Sequence, residues 1–508
     1  MVATLALAQD NAFGQPLESQ LRSCLLGVWM CDEAGYGAEV RDTVYWVALL
    51  RYVGCTGHAH EVSTLFGDEI AARARTLVHD AANPAEVIRD VIAFATAARP
   101  PEEREQVIRM IQEGARAWAI HNFSSGCEVG DMLAERLGFG AAVRDALAFT
   151  FERWNGAGYP NGAAGTEIPL PMRIVHLTHD MEAHGRLFSP AEAVEVARDR
   201  RDRTYDPRLA DMFTEHGERW LARLAALDPW NAALEREPVP HRTLEGDDLD
   251  AALTVVADFV DLKSPFMAGH SRRCAALAGT AAGLLGFAED DATRVRHAAL
   301  VHELGTTAIP NSIWDKPGPL TRAELDRVEL HPMVTEQMLR RSPALAPLNP
   351  VAATHHERCD GSGYHKCLQG AGLEAAAHVL VAADIYVALT SDRADRPAAT
   401  PDAAAAHVRD LVERGALDAT ATDAVLTAAG HAPGRGRTRR PGIPGGLTRR
   451  EAEVLGLAAR GLTTQQIADQ LFISPKTADH HIQHVYGKIG VSTRAAAALW
   501  AMQHAIVA

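Results

Sequence analysis

Apolar residues along this chain recur mostly at intervals of three and four. Val255, Val256, Phe259 and Val260 form one such stripe, and Leu277, Ala281, Leu284 and Leu285 form another. That spacing places each set on one face of an α-helix. Alternating runs of β-branched residues are scarce, so the pattern predicts an all-α fold. The periodicity lapses twice. Residues 228–250 carry prolines and charges with little apolar repeat, which predicts a boundary. Residues 432–446 (APGRGRTRRPGIPGG) are rich in Gly, Pro and Arg and read as a linker. The expected organisation is one domain over 15–228, a second over 229–430, a linker over 431–446 and a small domain over 447–508.

Length and composition agree with this layout. At roughly 150 residues per domain, 508 residues suffice for about three domains. With 47% hydrophobic and 23% charged residues, wholesale disorder and fibrous folds are excluded. No apolar run approaches the ~20 residues of a membrane span, and the N-terminus lacks the basic region of a signal peptide. The seven cysteines are scattered with no C-x-x-C, which fits a reducing cytoplasm better than a disulfide framework. Charge is segregated. Residues 432–508 hold 10 basic and 4 acidic residues, whereas the rest of the chain holds 40 and 61. A basic tail on an acidic body points to a polyanionic partner for the tail alone.

The body contains an internal repeat. Glu152-Arg153-Trp154-Asn155-Gly156-Ala157-Gly158-Tyr159-Pro160 matches Glu357-Arg358-Cys359-Asp360-Gly361-Ser362-Gly363-Tyr364-His365 at an offset of 205, and Asp180 matches Asp384 at 204. Similar loops arising by chance rarely keep register over such a span, so a duplication is expected. The second copy also concentrates potential metal ligands: His270, His302, Glu303, His331, His355, His356 and Asp384. A lone histidine on an apolar helix is usually a satisfied core residue. Seven such groups would each need a buried partner, and a shared metal centre satisfies them together.

These residues resemble the HD-GYP subgroup of the HD metal-dependent phosphohydrolases, over roughly 250–400, with a degenerate copy over roughly 20–225. The resemblance implies an all-α bundle and the ligand set His270, His302, Glu303, His331, His355, His356 and Asp384. It further implies two divalent ions (Fe, Mn or Zn) and a nucleotide or other phosphorylated ligand, hydrolysed with Glu303 at the metal-hydroxide site and Arg358 near the phosphate. The chain departs from that pattern in several places. Glu303 replaces the family's aspartate, Thr306 its lysine, His365 its proline and Val387 a later aspartate. Phe266 stands where some members keep a third-metal glutamate. At most two ions are therefore expected. Loss of one preorganised charge can cost ~10²–10³ in rate, so slow or absent turnover is expected. In the first copy, Arg51-Tyr52 replaces the His-Asp pair, Thr150-Phe151 replaces His-His, and Cys127 stands opposite His331. Only Asp180 survives. Cys55, His58 and His60 are read as core or surface residues rather than a second metal site.

The tail carries its own punctuation. Thr448 and Glu451 form a capping box, and Gly461 stands just past the first helix. Ser474 caps a third helix with Pro475 at N1. Gly490-Val491 breaks that helix, and an apolar fourth follows over 495–506. Two short helices joined by a tight turn, the second polar and basic, describe a helix-turn-helix. The whole of 447–508 resembles the LuxR-type DNA-binding module. The resemblance implies contacts to duplex DNA from Thr463, Gln465, Ser474, Lys476, Thr477 and His480. It implies backbone contacts from Lys488 and Arg494, and pairing of two modules into a homodimer. His481 and His484 fall on the same helix, and Arg435, Arg437, Arg439 and Arg440 of the linker add candidate phosphate contacts. Three readings follow: a cytoplasmic transcription regulator whose body senses a ligand, a phosphohydrolase localised by its tail, or a plain dimerisation scaffold in which the metal-like cluster is a vestige.

Overall fold

The computed structural model describes residues 1–97, 99–431 and 444–507. The linker arginines Arg435, Arg437, Arg439 and Arg440 lie outside the described residues. Among the described residues every regular element is helical, as the three-to-four spacing predicts. No helix is long and apolar enough to cross a membrane. The chain forms two compact units, 1–245 and 246–508.

In the first unit, the helices Ser19–Ala34, Ala38–Leu50 and Leu170–Leu187 pack on one another. Their shared core includes Leu21, Leu25, Leu26, Leu49, Leu50 and Ile174, all essentially inaccessible to solvent. The N-terminal helix Val2–Ala12 is buried along most of its length, and Gln9 ties it to Leu49 O and Tyr52 N. The short helix Pro229–Leu234 also belongs to this unit, where Tyr45 donates to Ala233 O at 3.1 Å.

In the second unit, His270–Leu284 lies against Glu289–Val301 and Ala375–Leu389. The interface is dense in alanine (Ala278, Ala281, Ala282, Ala298 and Ala299, all buried). Small side chains let helices approach closely, and the polar groups that interrupt this apolar packing are the candidate ligands. The tail forms four helices: Arg449–Ala459, Thr464–Leu471, Pro475–Ile489 and Arg494–Gln503. Val454, Ala458, Ile467, Ala468, Ala478 and Ile482 make its core.

The repeat seen in sequence is also a structural repeat. In both copies the second glycine of the loop lies against the backbone of the preceding glutamate. A Cβ on Gly158 would stand 2.4 Å from Glu152 Cα, and one on Gly363 would stand 2.4 Å from Glu357 Cα. The two glutamates are fully buried and hold their loops alike. Glu152 accepts from Asn161 N, and Glu357 accepts from Lys366 N, both at 2.8 Å. The short bridges Asn155–Ala164 and Asp360–Gln369 coincide at the same offset.

Candidate metal centre and nucleic-acid interface

The seven ligand candidates of the second copy converge. Most sit at helix ends, where neighbouring side chains can splay in different directions. His270 opens the helix His270–Leu284, and Asp261 holds that helix end through Ser271 N and Oγ at 2.9 and 2.7 Å. His302 and Glu303 close Glu289–Val301, and His331 opens His331–Arg341. His355 and His356 follow Asn349–Ala352, whereas Asp384 projects from the middle of Ala375–Leu389.

Two groups of donor atoms result. One comprises His270, Cys274, His302 and Asp384; the other comprises Glu303, His331, His355 and His356. Within each group the donor atoms lie within 4.8 Å of one another. Glu303 spans both. Its Oε1 lies 3.6 Å from His270 Nε2 and 3.8 Å from His302 Nε2, while its Oε2 lies 3.5 Å from His331 Nε2. The extra methylene relative to aspartate leaves the carboxylate aimed between the groups. Asp384 contributes similarly, with Oδ1 3.1 Å from His270 and Oδ2 3.9 Å from His356.

The tautomers are set by the backbone. His302, His331 and His355 each donate Nδ1–H to the carbonyl three residues earlier, at 2.7 Å in every case. Burial keeps His331 and His355 neutral, so the Nε2 of each carries a lone pair pointing inward, whereas Asp384, Cys274 and Glu303 overcome burial and raise His302 well above the usual histidine range. Yet His331 Nε2 and His355 Nε2 stand 3.0 Å apart, with no proton left to share between them. Two lone pairs at that distance repel unless a cation lies between them. His302 Nε2 and Glu303 Oε2 are also buried without a hydrogen-bond partner. These orphaned atoms, together with the N, O and S donor set, fit divalent metal.

Electrostatics separate the two groups. Burial, reinforced by the neighbouring imidazoles, holds His355 and His356 well below the usual histidine range, so both are neutral donors. Burial also opposes charge on His270, but the Cys274 sulfur and the Asp384 carboxylate outweigh it and raise His270 to about 9. Asp384 is buried too, and the His270 imidazole at 3.1 Å, with those of His302 and His356 beside it, keeps it ionised well below the carboxylate range. The centre opens to solvent beside His356, whose ring stacks on Tyr364 with centroids 4.7 Å apart. Arg358 is half-buried nearby, with Nη1 donating to Glu357 O. Trp314 meets His331 edge-on at 5.6 Å. Thr306 turns its hydroxyl back onto Glu303 O at 2.7 Å and brings no cation. Cys274 was missed in the sequence. Its signal is the spacing of four from His270, which puts both on one helix face.

The first copy fills the corresponding space with hydrocarbon and a fixed cation. Tyr52 stacks on Phe13 at 3.9 Å, and Phe151 on Phe123 at 4.1 Å. A cavity of only about 10 Å³ remains beside Arg51, Cys127 and Thr150. The buried Arg51 donates to Val175 O. Asp180, though buried, is kept ionised by His179, Arg51 and Arg153, and it accepts from Tyr205 Oη at 2.9 Å. Among the described residues, no group of three donors able to hold a metal occurs in this unit. Cys55, His58 and His60 do not form one.

In the tail, Lys476, Thr477 and His480 are exposed on the helix Pro475–Ile489. Ser474 caps that helix through Thr477 N at 3.1 Å, and Thr463 caps Thr464–Leu471 in a box with Gln466. Gln465 is exposed and donates to Asp469. Two of the expected backbone-gripping groups are engaged inside the module. Lys488 donates to Glu451 at 2.8 Å, and Arg494 donates to Leu462 O at 2.6 Å. His484 also bonds Glu451, at 2.7 Å.

A helical bundle with inward-facing imidazoles at its helix ends, followed by a helix-turn-helix, is the architecture of an HD-type domain joined to a DNA-binding module. The chain belongs to the HD-domain family, whose pattern matches residues 124–209 and 254–421, and residues 446–501 match the bacterial regulatory proteins of the luxR family. It is 29% identical over 413 residues to 3'3'-cGAMP-specific phosphodiesterase 3 of Vibrio cholerae serotype O1, spanning 81% of this chain and 90% of that protein. It is 34% identical to the cyclic di-GMP phosphodiesterase response regulator RpfG of Xanthomonas campestris, over 34% of this chain and 46% of that one. The crystal structure of the V. cholerae cyclic GMP-AMP-specific phosphodiesterase V-cGAP3 matches 85% of this chain and 98% of its own. Its TM-score is 0.57 and its identity 25%.

Proposed function

We propose that this chain is a DNA-binding regulator whose second half holds two divalent ions (Fe, Mn or Zn) and takes a cyclic dinucleotide there. The observation that carries the reading is the pair of facing lone-pair nitrogens of His331 and His355, 3.0 Å apart. Adjacent ligand positions at right angles, with metal–nitrogen bonds of about 2.1 Å, stand about 3.0 Å apart. His270, His302 and Asp384 would hold one ion, and His331, His355 and His356 the other, with Glu303 shared. Bound ions supply charge to clamp a phosphate and can generate hydroxide. The chain's own part is to fix the imidazole tautomers through backbone carbonyls and to present Tyr364 and Arg358 at the open side.

The tail meets the same region. A Cβ on Gly269, the residue before His270, would stand 2.8 Å from Val507 O. Ligand-dependent movement at His270 would thus be felt at the end of the DNA-binding module. Coupling of that kind requires the ligand to favour one arrangement over the other.

The test has two parts. Elemental mass spectrometry on protein purified without chelator should find about two equivalents of metal, and about one after His355→Ala with His356→Ala. The tail should select specific duplexes with a steep salt dependence, and 3'3'-cGAMP or cyclic di-GMP should shift that affinity. Absence of metal after reconstitution would overturn the reading. The second reading, a phosphodiesterase localised by its tail, is favoured by the likeness spanning 90% of a cGAMP-specific enzyme. Hydrolysis of either dinucleotide with Mn²⁺ or Fe²⁺ above the histidine double variant would establish it. Thr306 in place of a cation predicts that such turnover is slow.

A further inference from the structure

We propose that Cys274 is a thiolate ligand of the ion held by His270, His302 and Asp384, and that it tunes this position toward zinc-like cations. The inference rests on the metal reading above and concerns which donors complete one of its two positions. Cys274 lies one helical turn after His270 and is wholly inaccessible to solvent. Its Sγ is 3.6 Å from His270 Nε2. A tetrahedral ion with bonds of about 2.3 Å to sulfur and 2.0–2.1 Å to nitrogen separates those two donors by about 3.6 Å. His302 Nε2, buried and without a hydrogen-bond partner, faces the same point.

The consequence is a division of labour. Two imidazoles, a carboxylate and a thiolate supply the donor types of zinc sites, with the shared Glu303 beside them. The neighbouring group has no sulfur, and His356 borders solvent, so it keeps the open position that a phosphate or water requires. A soft sulfur donor favours zinc or cobalt over manganese and magnesium. Metal binding would release the Cys274 thiol proton to solvent, forming the S–metal bond. A plain buried thiol, packing as a small apolar side chain, predicts none of this.

The full-length chain, stripped by chelator and reconstituted with Co²⁺ alone, tests the proposal. The wild type should bind two equivalents and show thiolate-to-cobalt charge-transfer absorption in the near ultraviolet. Cys274→Ser and Cys274→Val should both lose that band, while the His355→Ala and His356→Ala double variant should keep it and lose the other ion. In competition, Cys274→Val should shift the zinc-to-manganese ratio at least about tenfold toward manganese. Two bound cobalt ions without the band would overturn the proposal and leave the metal centre standing. So would a band that survives Cys274→Val, since the thiolate would then lie elsewhere. No cobalt bound at all would overturn both. The wild-type spectrum decides even if a variant fails to fold, and valine matches the small apolar volume of the thiol.

Discussion

Replacing Gly305 by alanine should damage the metal centre through packing alone. Gly305 follows Glu303 by two residues, in the turn Leu304–Ala308. A Cβ there would stand 1.9 Å from His331 O and 2.9 Å from Thr335 N, whereas ordinary contact begins near 3.4 Å. The turn and the helix His331–Arg341 must therefore part by about 1.5 Å, the difference between those contacts. Two hydrogen bonds go with that movement: Gly305 N to Thr335 Oγ1 at 2.9 Å and Thr335 Oγ1 to His302 O at 3.0 Å. Overpacking costs about 1–3 kcal/mol, and each lost bond costs about 1 kcal/mol, so the second unit should lose about 3–5 kcal/mol. Glu303 and His331 sit on the two separating pieces. Sites of this kind tolerate only about 0.5 Å of displacement, so the Glu303, His331, His355 and His356 group should lose its ion.

The duplication supplies the control. Gly54 occupies the matching turn of the first unit, and a Cβ there would stand 1.9 Å from Gly126 O. Gly54→Ala should destabilise the first unit by a similar amount and leave metal stoichiometry unchanged. Urea denaturation followed by hydrogen exchange would separate the two units, and elemental mass spectrometry would count the ions. A Gly305→Ala variant that retained wild-type stability within about 0.5 kcal/mol and two ions would refute the reasoning.

Three further outcomes are expected. His58 is buried and pushed down to about 3, by desolvation first and then by Arg73 and His121, so the folded state holds it neutral. Its unfolded value is near 6.5. Its contribution is therefore intact above that pH and is lost as pH falls toward 3, at about 1.4 kcal/mol per pH unit. His58→Leu should flatten the stability profile by one proton between about pH 6 and 4, and parallel profiles for variant and wild type would contradict this. Glu451 closes the capping box with Thr448 and also binds His484 and Lys488. Glu451→Ala should lower the opening free energy of peptides over 447–507 in hydrogen exchange by about 2 kcal/mol, with Glu451→Gln milder; equal protection would rule the network out. Lys476→Ala should weaken DNA binding about equally across sequences and reduce the log–log salt slope by about 1; an unchanged slope would remove Lys476 from the phosphate contacts.

How much of this was legible beforehand follows from the range of each interaction. The all-α fold and the tail's caps are local. Thr448, Glu451, Ser474 and Pro475 act within four residues of themselves, and the structure places each as a cap or first-turn residue where the sequence implied one. The convergence of the histidines was legible because several buried imidazoles need a common partner, whatever fold brings them together. Cys274 was not, because a cysteine among alanines on an apolar helix reads as core until His302 and Asp384 are seen to face it. The burial of Val2–Ala12 and the docking of Pro229–Leu234 were hidden for a related reason. Both are settled by contacts made across long sequence separations, Gln9 with Leu49 and Tyr45 with Ala233.

The two copies turn that contrast into a physical argument about what a duplicated site must keep. Both retain the glycine that lets a turn approach a helix backbone, the buried glutamate that holds the loop, and the aspartate in the long helix. These features serve the fold, and their loss would be costly in either copy. The imidazoles are the candidate metal ligands. In the first copy Arg51-Tyr52 and Thr150-Phe151 take the places of His302-Glu303 and His355-His356, filling the space and setting a permanent cation near Asp180. A copy without those donors becomes a more conventional core, with an internal positive charge where the other copy has the lone pairs of His331 and His355. The second copy still keeps inward lone pairs, an unpartnered Glu303 oxygen and a buried thiol together. The facing nitrogens of His331 and His355 and the Glu303 oxygen are the atoms of this arrangement that a bound divalent cation would satisfy.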